Sequence, residues 1–239
     1  MIDRLYCVSY DGYEHLTDKF YMDIPGLRKK LFVIKLGTIT NNSKKINCLT
    51  EDVFKIVSCS SIIPLKRLDL IVDALSELND IKEEIEWHHF GSGSEMRVIE
   101  DGLCKINNVN INVFFNGHLE NEKILERYQL DKFNLFVNVS DSEGIPVSIM
   151  EAMSFGIPCL ARNVGGISEI INSENGYLLE NEIDAKYLSN VLKEIIFSRE
   201  KLNIKSFNAF KTWEKHFNAD INFPLFSKSL LDFILSFKA

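Results

Sequence analysis

The sequence lacks the features that mark membrane, secreted and repetitive proteins. No apolar run approaches the roughly 20 residues that a membrane-spanning helix needs, and the first residues carry no cationic segment leading into an apolar one. Internal repeats and low-complexity tracts are also missing. These absences predict a cytoplasmic protein, and the 46% share of hydrophobic residues is enough to build a sizeable core.

Cysteine, histidine and positive charge are each too dispersed to indicate a site. The five cysteines are far apart and form no Cys-x-x-Cys pair, which argues against a disulfide framework and against zinc. His88 and His89 are adjacent on a predicted strand and therefore point to opposite faces, which is poor geometry for a shared metal. With a net charge of −7 and scattered Lys and Arg residues, the chain is not expected to bind nucleic acid.

The sequence does contain a regular alternation of short β-branched or aromatic runs with amphipathic stretches. After Lys66, for example, Leu68, Ile71 and Leu75 fall on one helical face. Because parallel neighbours need crossover connections, this alternation predicts an α/β fold with a Rossmann-like, doubly wound parallel sheet. The predicted strands are residues 5–9, 31–36, 54–59, 85–90, 111–116, 134–139 and 158–161.

The two ends of the chain differ from this alternation. Residues 1–45 contain two predicted strands around a helical pattern, followed by a polar linker, and are interpreted as the tail of another domain. Residues 46–239 are predicted to form the main domain. Its last part, from residue 181 onward, is predicted to be mainly helical with an interruption near Pro224.

The loop after the strand predicted at residues 134–139 is the richest in chemistry. Glu143 lies in this loop and Glu151 in the helix after it, so the two carboxylates are expected at different depths of one cleft. Backbone N–H groups at the helix start favour an oxygen-rich ligand. The residues there are Gly144, Ile145, Pro146 and Val147. The alternative is structural: an exposed Glu143 that complements the helix dipole, and a Glu151 paired with a nearby Lys or Arg.

The segment from Glu143 to Glu151, Glu-Gly-Ile-Pro-Val-Ser-Ile-Met-Glu, is similar to the Glu-x7-Glu motif of the family 4 retaining glycosyltransferases. The resemblance extends over residues 54–179 and includes Val164-Gly165-Gly166. It implies that the chain is the C-terminal, nucleotide-sugar-binding half of a GT-B fold with a short remnant of the N-terminal domain. It also implies that Glu143 contacts hydroxyls of the donor sugar during catalysis and that Glu151 binds the nucleotide ribose.

A second loop, residues 58–67, directly follows a predicted strand. In the family, an Arg and a Lys from this loop bind the diphosphate and neutralise the leaving phosphate. Lys66 matches the Lys, which implies a catalytic role for it, whereas Ser61 stands at the Arg position and Arg67 stands where a Gly is usual. Either Arg67 supplies the missing guanidinium, or phosphate binding relies on Lys66, hydroxyl groups and backbone dipoles.

Two glycine loops complete the predicted substrate-binding site. Gly91 and Gly93 resemble the family's short turn under the nucleotide, although their spacing alone is also typical of a tight turn that needs no ligand. Gly117, His118 and Leu119 occupy the place where the family's loop backbone lines the base. His118 either contacts the base or is an ordinary exposed histidine.

As a whole, the resemblance implies a hexosyltransferase that transfers sugar, with retention, from a nucleoside-diphosphate sugar to a glycan or lipid-linked acceptor in surface polysaccharide synthesis. No metal or other cofactor is expected, and membrane contact is at most peripheral, at the inner face. Because residues 1–45 resemble only the end of an acceptor domain, the chain alone is expected to be inactive or weakly active. The expected partners are the donor, the acceptor and a missing or separate acceptor domain. The alternatives are a donor-binding subunit of a two-chain enzyme, a non-catalytic nucleotide-sugar-binding module and an epimerase relative.

Overall fold

Two parallel sheets organise residues 3–20, 26–40 and 52–236, which the computed structural model describes. The smaller sheet pairs β1 (Leu5–Cys7) with β2 (Leu31–Val33), with α1 (Tyr10–Phe20) between them in sequence. The larger sheet has the strand order β5-β4-β3-β6-β7-β8. Its strands are β3 (Phe54–Cys59), β4 (Ile85–Phe90), β5 (Ile111–Phe115), β6 (Leu135–Asn138), β7 (Cys159–Arg162) and β8 (Gly176–Leu179).

Helices cover both faces of the larger sheet. The helices are α2 (Leu68–Ser76), α3 (Met96–Gly102), α4 (Asn121–Leu130), α5 (Val147–Ser154), α6 (Ala185–Ile196), α7 (Arg199–His216) and α8 (Ala219–Ser236). One core cluster joins α2, α3 and α6 to the strands, and a second joins α4, α5 and α7 to them. Adjacent strand residues divide between the two clusters, with Ile56 in the first and Val57 in the second. This is the predicted doubly wound fold, and it is confirmed.

The structure also corrects the sequence predictions in detail. Leu68, Ile71 and Leu75 are buried on one face of α2, as predicted. The interruption predicted near Pro224 is wrong, because α8 continues through this residue and the break lies before Ala219. Pro224 is exposed, so the carbonyl that its missing N–H leaves unpaired can be solvated. The predicted domain boundary between residues 45 and 46 lies outside the described residues.

The last helix packs against the small sheet. Nδ2 of Asn222, in the first turn of α8, donates a hydrogen bond to the carbonyl oxygen of Leu36 at 2.7 Å. The rings of Tyr6 and Phe226 meet edge to face at 5.1 Å between centroids. The guanidinium of Arg4 lies 3.7 Å from the ring centroid of Phe233. These contacts attach the small sheet to the rest of the chain through α8.

Two further predictions concern the cysteines and the membrane. Cys7, Cys59, Cys104 and Cys159 are free thiols, while Cys48 lies outside the described residues. Within residues 3–20, 26–40 and 52–236, no helix combines the length and the apolar character that crossing a bilayer requires.

Candidate functional site

The candidate site lies at the carboxyl edge of the larger sheet. The sheet runs outward in both directions from the neighbouring strands β3 and β6, and ligands of open α/β sheets bind outside such a switch point. The loops after β3, β4, β5 and β6 meet there because these strands are neighbours. Every predicted site residue lies in one of these four loops or in α5.

An ion pair links the loops after β3 and β6. Nζ of Lys66 lies 2.7 Å from Oε1 of Glu143, and the same oxygen accepts a hydrogen bond from Nδ2 of Asn138 at 3.2 Å. The two ionic side chains are only 21% and 10% exposed, so their attraction is screened less than that of a surface pair. Among the described residues no donor reaches Oε2 of Glu143. The carboxylate can therefore accept a ligand hydroxyl there while Lys66 places positive charge beside it.

Arg67 adopts a left-handed backbone, with φ 51° and ψ 42°. This conformation favours glycine and accounts for the Gly that the resembled family has here. The guanidinium donates to both carboxylate oxygens of Asp69 at 3.2 Å and to Oδ1 of Asp141 at 3.3 Å. Two carboxylates thus hold Arg67. The geometry favours phosphate binding by Lys66, hydroxyls and backbone over a guanidinium supplied by Arg67.

Asp141 connects this loop to the next strand. Its carboxylate pairs with the guanidinium of Arg162, which is buried on β7 and also donates to the carbonyl oxygens of Val139 and Asn181. Partial burial opposes ionisation of Asp141, but hydrogen bonds and attraction from Arg162 and Arg67 hold its pKa below the ordinary value. Two ion pairs therefore join the loops after β3 and β6, namely Lys66 with Glu143 and Arg67 with Asp141.

Glu151 lies on α5 and is 8% exposed. Nδ2 of Asn121, at the start of α4, donates a hydrogen bond to its Oε1 at 2.7 Å. Burial raises the pKa of Glu151, and the bond from Asn121 only partly offsets this. The partner of the carboxylate is thus a neutral amide, where the structural alternative expected a Lys or an Arg.

The glycine loops are packed backbone to backbone. Gly91 has φ 144°, and a Cβ there would lie 1.8 Å from the carbonyl oxygen of Ser60, so only glycine fits. Its N–H donates to the carbonyl oxygen of Gly117 at 2.8 Å. Gly93 lies against the backbone of Ile62 in the same way. These contacts hold the loop that carries Ser61 and Lys66 against the loop after β4. Close backbone packing alone is therefore enough to require glycine at Gly91 and Gly93.

The remaining residues of the predicted base site differ in exposure. Ser61 and His118 are exposed, and Leu119 is half-buried against the core cluster that contains α4 and α5. Gly117 connects its own loop to the loop of Gly91, because its carbonyl oxygen accepts a hydrogen bond from the N–H of Gly91. Contact between His118 and the base stays a prediction.

The start of α5 lies directly beside Glu143. Ile145 and Pro146 are buried, whereas Gly144 and Val147 are exposed. Pro146 occupies the cap position one residue before the helix, which has eight residues.

A turn after β7 supports the Glu143 loop from behind. A Cβ on Gly165, which has φ 53°, would lie 1.8 Å from the carbonyl oxygen of Glu143. The N–H of Gly166 donates to the carbonyl oxygen of Gly144 at 3.1 Å. The glycine pair thus allows a backbone approach that positions the Glu143 carboxylate.

A buried hydrogen-bond chain lies under the Lys66 loop. Nε1 of Trp87 donates to Oγ of Ser58 at 2.9 Å, and Ser58 lies 2.8 Å from Nδ1 of His89. The carbonyl oxygen of Ser60 can only accept, so Nε2–H of the neutral His89 ring donates to it at 3.1 Å. Nδ1 is then the acceptor of the ring, and the Ser58 hydroxyl donates to it. Burial lowers the pKa of His89 to about 4, so the ring is neutral at pH 7.

The start of α1, which follows β1 of the small sheet, is bonded to Glu169 beside the candidate site. The N–H groups of Tyr10 and Asp11 each donate to the carboxylate of Glu169 at 3.0 Å, and the N–H of Gly12 donates to Oγ of Ser9 at 3.0 Å. Glu169 ends the short 3-10 helix that begins at Gly165. One short segment thus supports the Glu143 loop at its start and caps α1 at its end.

Several of these residues were not predicted from the sequence. Asn121 and Asp141 follow predicted strands and Asn138 lies at the end of one, so their placement at the carboxyl edge is a signal that could have identified them. Glu169 offered no such signal, because its partners are backbone groups of a distant helix. In the part of the chain that the structure describes, no three His, Cys, Asp or Glu side chains are grouped to hold a metal. The predicted independence from cofactors stays a prediction.

Comparisons by sequence identify relatives of the chain. A family model described as "Glycosyl transferases group 1" matches residues 40–212. The GtfA subunit of a UDP-N-acetylglucosamine–peptide N-acetylglucosaminyltransferase from Streptococcus agalactiae is 26% identical over 171 residues, which cover 70% of this chain and 32% of that protein. The O-antigen biosynthesis glycosyltransferase WbnH of Escherichia coli is 25% identical over 190 residues, covering 77% and 48%. The chain spans about a third to a half of the length of these relatives.

Comparison by structure agrees. The crystal structure of the pneumococcal O-GlcNAc transferase GtfA in complex with UDP and GlcNAc is similar with a TM-score of 0.78 and 19% sequence identity. The match covers 96% of this chain and 45% of that one. At this identity the likeness concerns the fold alone, and it confirms the predicted half of a GT-B architecture.

Proposed function

The chain belongs to the glycosyl transferases group 1 family, and from that premise we propose that it carries the nucleotide-sugar-binding site of a retaining, family 4 hexosyltransferase. The observation that carries the proposal is the ion pair of Lys66 and Glu143, 2.7 Å apart at the switch point of the sheet. The cation suits a diphosphate and the carboxylate suits sugar hydroxyls. Glu151, a buried carboxylate held by Asn121, suits the ribose.

The proposed chemistry follows from these placements. As the bond between sugar and diphosphate breaks, negative charge grows on the leaving phosphate, and Lys66 stabilises it. The N–H groups of Gly144, Ile145 and Val147, at the start of α5, favour the same charge. Glu143 accepts a hydrogen bond from the donor sugar and fixes its orientation. Each of these groups belongs to this chain, and we propose that no metal takes part.

The acceptor and setting are proposed from the relatives. One relative is named for O-antigen biosynthesis, so we propose a glycan or lipid-linked acceptor in surface polysaccharide synthesis, on the cytoplasmic side of the membrane. A second candidate function is favoured by the name of the other relative, which is a subunit. In that case the chain is the donor-binding subunit of a two-chain transferase, and a stable complex with an acceptor-binding chain identifies it.

Isothermal titration calorimetry with UDP, GDP and ADP tests the proposal. We expect one nucleotide to bind preferentially and Lys66→Ala and Glu151→Ala to weaken it about tenfold each, since each variant loses a charge-assisted contact. Lys105→Ala is the matched control, because Lys105 forms an exposed ion pair with Asp73 on the outside of the fold. Failure of the folded protein to bind any of the three contradicts the proposal. Binding without sugar transfer, even with an acceptor-binding chain added, favours a non-catalytic module.

A further inference from the structure

Asn121 connects the segment after β5 with the buried carboxylate of Glu151. It is the first residue of α4, four positions after Gly117, and its amide donates to Oε1 of Glu151 at 2.7 Å. The two residues are 30 positions apart and lie on different helices. The bond therefore sets the carboxylate of α5 relative to the loop before α4, where Gly117 and His118 lie.

Within the part of the chain that the structure describes, no charged group shares this task with Asn121. The titratable groups that face Glu151 are the thiol of Cys59 at the end of β3 and the hydroxyl of Tyr128 on α4. Burial raises the pKa of Cys59 to about 11 and raises that of Tyr128 well above its ordinary value, so both are neutral at pH 7. Among the described residues, Asn121 is the only protein donor to the Glu151 carboxylate, and it occupies one of the two oxygens.

We propose that Asn121 is a positioning residue that determines specificity for ribonucleotides: it holds Oε1 of Glu151 so that Oε2 is presented to the ribose hydroxyls of the donor nucleotide. This inference rests on the proposed function, because it requires a nucleotide in the cleft. A buried carboxylate that is oriented towards a hydroxyl discriminates strongly against a ligand that lacks it, since the carboxylate then loses its partner. Without Asn121 the carboxylate rotates, and this discrimination weakens.

The test is a cycle of protein variants and deoxynucleotides, measured by titration calorimetry. UDP, GDP and ADP are compared with their 2′-deoxy and 3′-deoxy counterparts, for the wild-type protein and for Asn121→Ala. We expect the wild type to prefer the best ribonucleotide over at least one deoxy counterpart by about tenfold or more. Asn121→Ala should bind that ribonucleotide about tenfold more weakly, while its affinity for the deoxy counterpart changes by less than about twofold.

The pH dependence gives a readout that a merely structural role would not change. Burial raises the pKa of Glu151, and the Asn121 bond opposes this, so loss of the amide raises the pKa further. Ribonucleotide affinity of Asn121→Ala should therefore begin to fall at a higher pH than that of the wild type. Ionisation of the phosphates is common to both proteins and cancels in the ratio of their affinities.

Asn121→Asp sharpens the comparison, because it keeps the shape of the side chain but replaces the donor with a second carboxylate. Ribonucleotide affinity at pH 7.5 should fall by more than in Asn121→Ala, since the like charges repel. Asn112→Asp adds the same charge at an exposed position of β5 and should leave affinity within about twofold of the wild type.

The outcomes separate this inference from the proposed function. Equal losses for ribonucleotide and both deoxy counterparts in Asn121→Ala, or unchanged affinity for all of them, overturn the role of Asn121 while nucleotide binding by the wild type still supports the function. A folded wild-type protein that binds none of the nucleotides overturns both. Circular dichroism and thermal melts of each variant establish that the chain is folded.

Discussion

Nζ of Lys66 and Oε1 of Glu143 are 2.7 Å apart although the residues are separated by 77 positions in the sequence. The contact places the cation proposed for the phosphate against the carboxylate proposed for the sugar. In the proposed reaction each charge therefore has two partners in turn, first the other side chain and then the ligand. A ligand that binds Lys66 must compete with Glu143 for it.

We expect Glu143→Gln to separate binding from turnover. Lys66 is freed from its partner, so affinity for the nucleoside diphosphate should stay within about threefold of the wild type or increase, while sugar transfer or donor hydrolysis falls about a hundredfold. Calorimetry and a nucleotide-release assay measure the two effects. A loss of nucleotide affinity as large as that of Lys66→Ala would mean that the ion pair only supports the loops.

Gly165→Ala should move the Glu143 loop. The added Cβ would lie 1.8 Å from the carbonyl oxygen of Glu143, and φ at this position is 53°. We expect a destabilisation of about 2 kcal/mol or more in urea unfolding, together with loss of turnover. Gly144→Ala is the matched stability control on the opposing loop, because no atom lies within 4 Å of its added Cβ. Equal unfolding midpoints for the two variants would contradict the steric argument.

His89 should make the stability of the protein depend on pH. Its pKa is about 4 in the folded protein, below the ordinary 6.5, so between these values the unfolded chain binds the proton that the folded chain does not. Stability contributed by the neutral ring is fully present above pH 6.5 and decreases as the pH falls towards 4, by about 3 kcal/mol in total. The free energy of unfolding, measured with denaturant at several pH values, should change less with pH in His89→Gln than in the wild type over this range. Identical slopes would exclude His89 as the cause.

Glu169→Gln should loosen α1. The carboxylate accepts from the N–H groups of both Tyr10 and Asp11, and the neutral amide has only one acceptor oxygen and no favourable charge at the helix N-terminus. We expect a cost of about 1 kcal/mol and faster hydrogen exchange at these two amides, with nucleotide affinity unchanged. Glu174→Gln, on the next exposed turn, is the control. Unchanged exchange at Tyr10 and Asp11 would show that the cap does not hold the helix.

The fold could be predicted because it rests on short-range patterns. The spacing of Leu68, Ile71 and Leu75 is that of one helical face, and all three are buried in α2. The apolar runs predicted as strands end where polar loops begin. The position of Pro224 was misleading, because the break before α8 lies at Phe217 and Asn218 and carries no proline. Helix ends depend on caps and packing, which a periodic pattern does not record.

The site could be predicted only as a set of loops. Lys66 and Glu143 were expected in one cleft, but their pairing depends on the register of β3 against β6, which sequence spacing does not specify. Arg67 has a left-handed backbone, and its guanidinium bonds to Asp69 and Asp141. The intrinsic preferences of arginine predict neither feature. The bond from Asn121 to Glu151 likewise appears only when α4 and α5 are placed side by side.

The attachment of the small sheet through α8 has a kinetic consequence. Leu36 bonds to Asn222 across 186 positions, and Thr38 bonds to Trp213 across 175. During synthesis, strands β1 and β2 leave the ribosome early but gain these partners only after most of the chain has followed. Contacts of such separation form late, since closing the intervening loop must precede them. Until α7 and α8 have been made, the small sheet therefore lacks the contacts that attach it to the larger sheet.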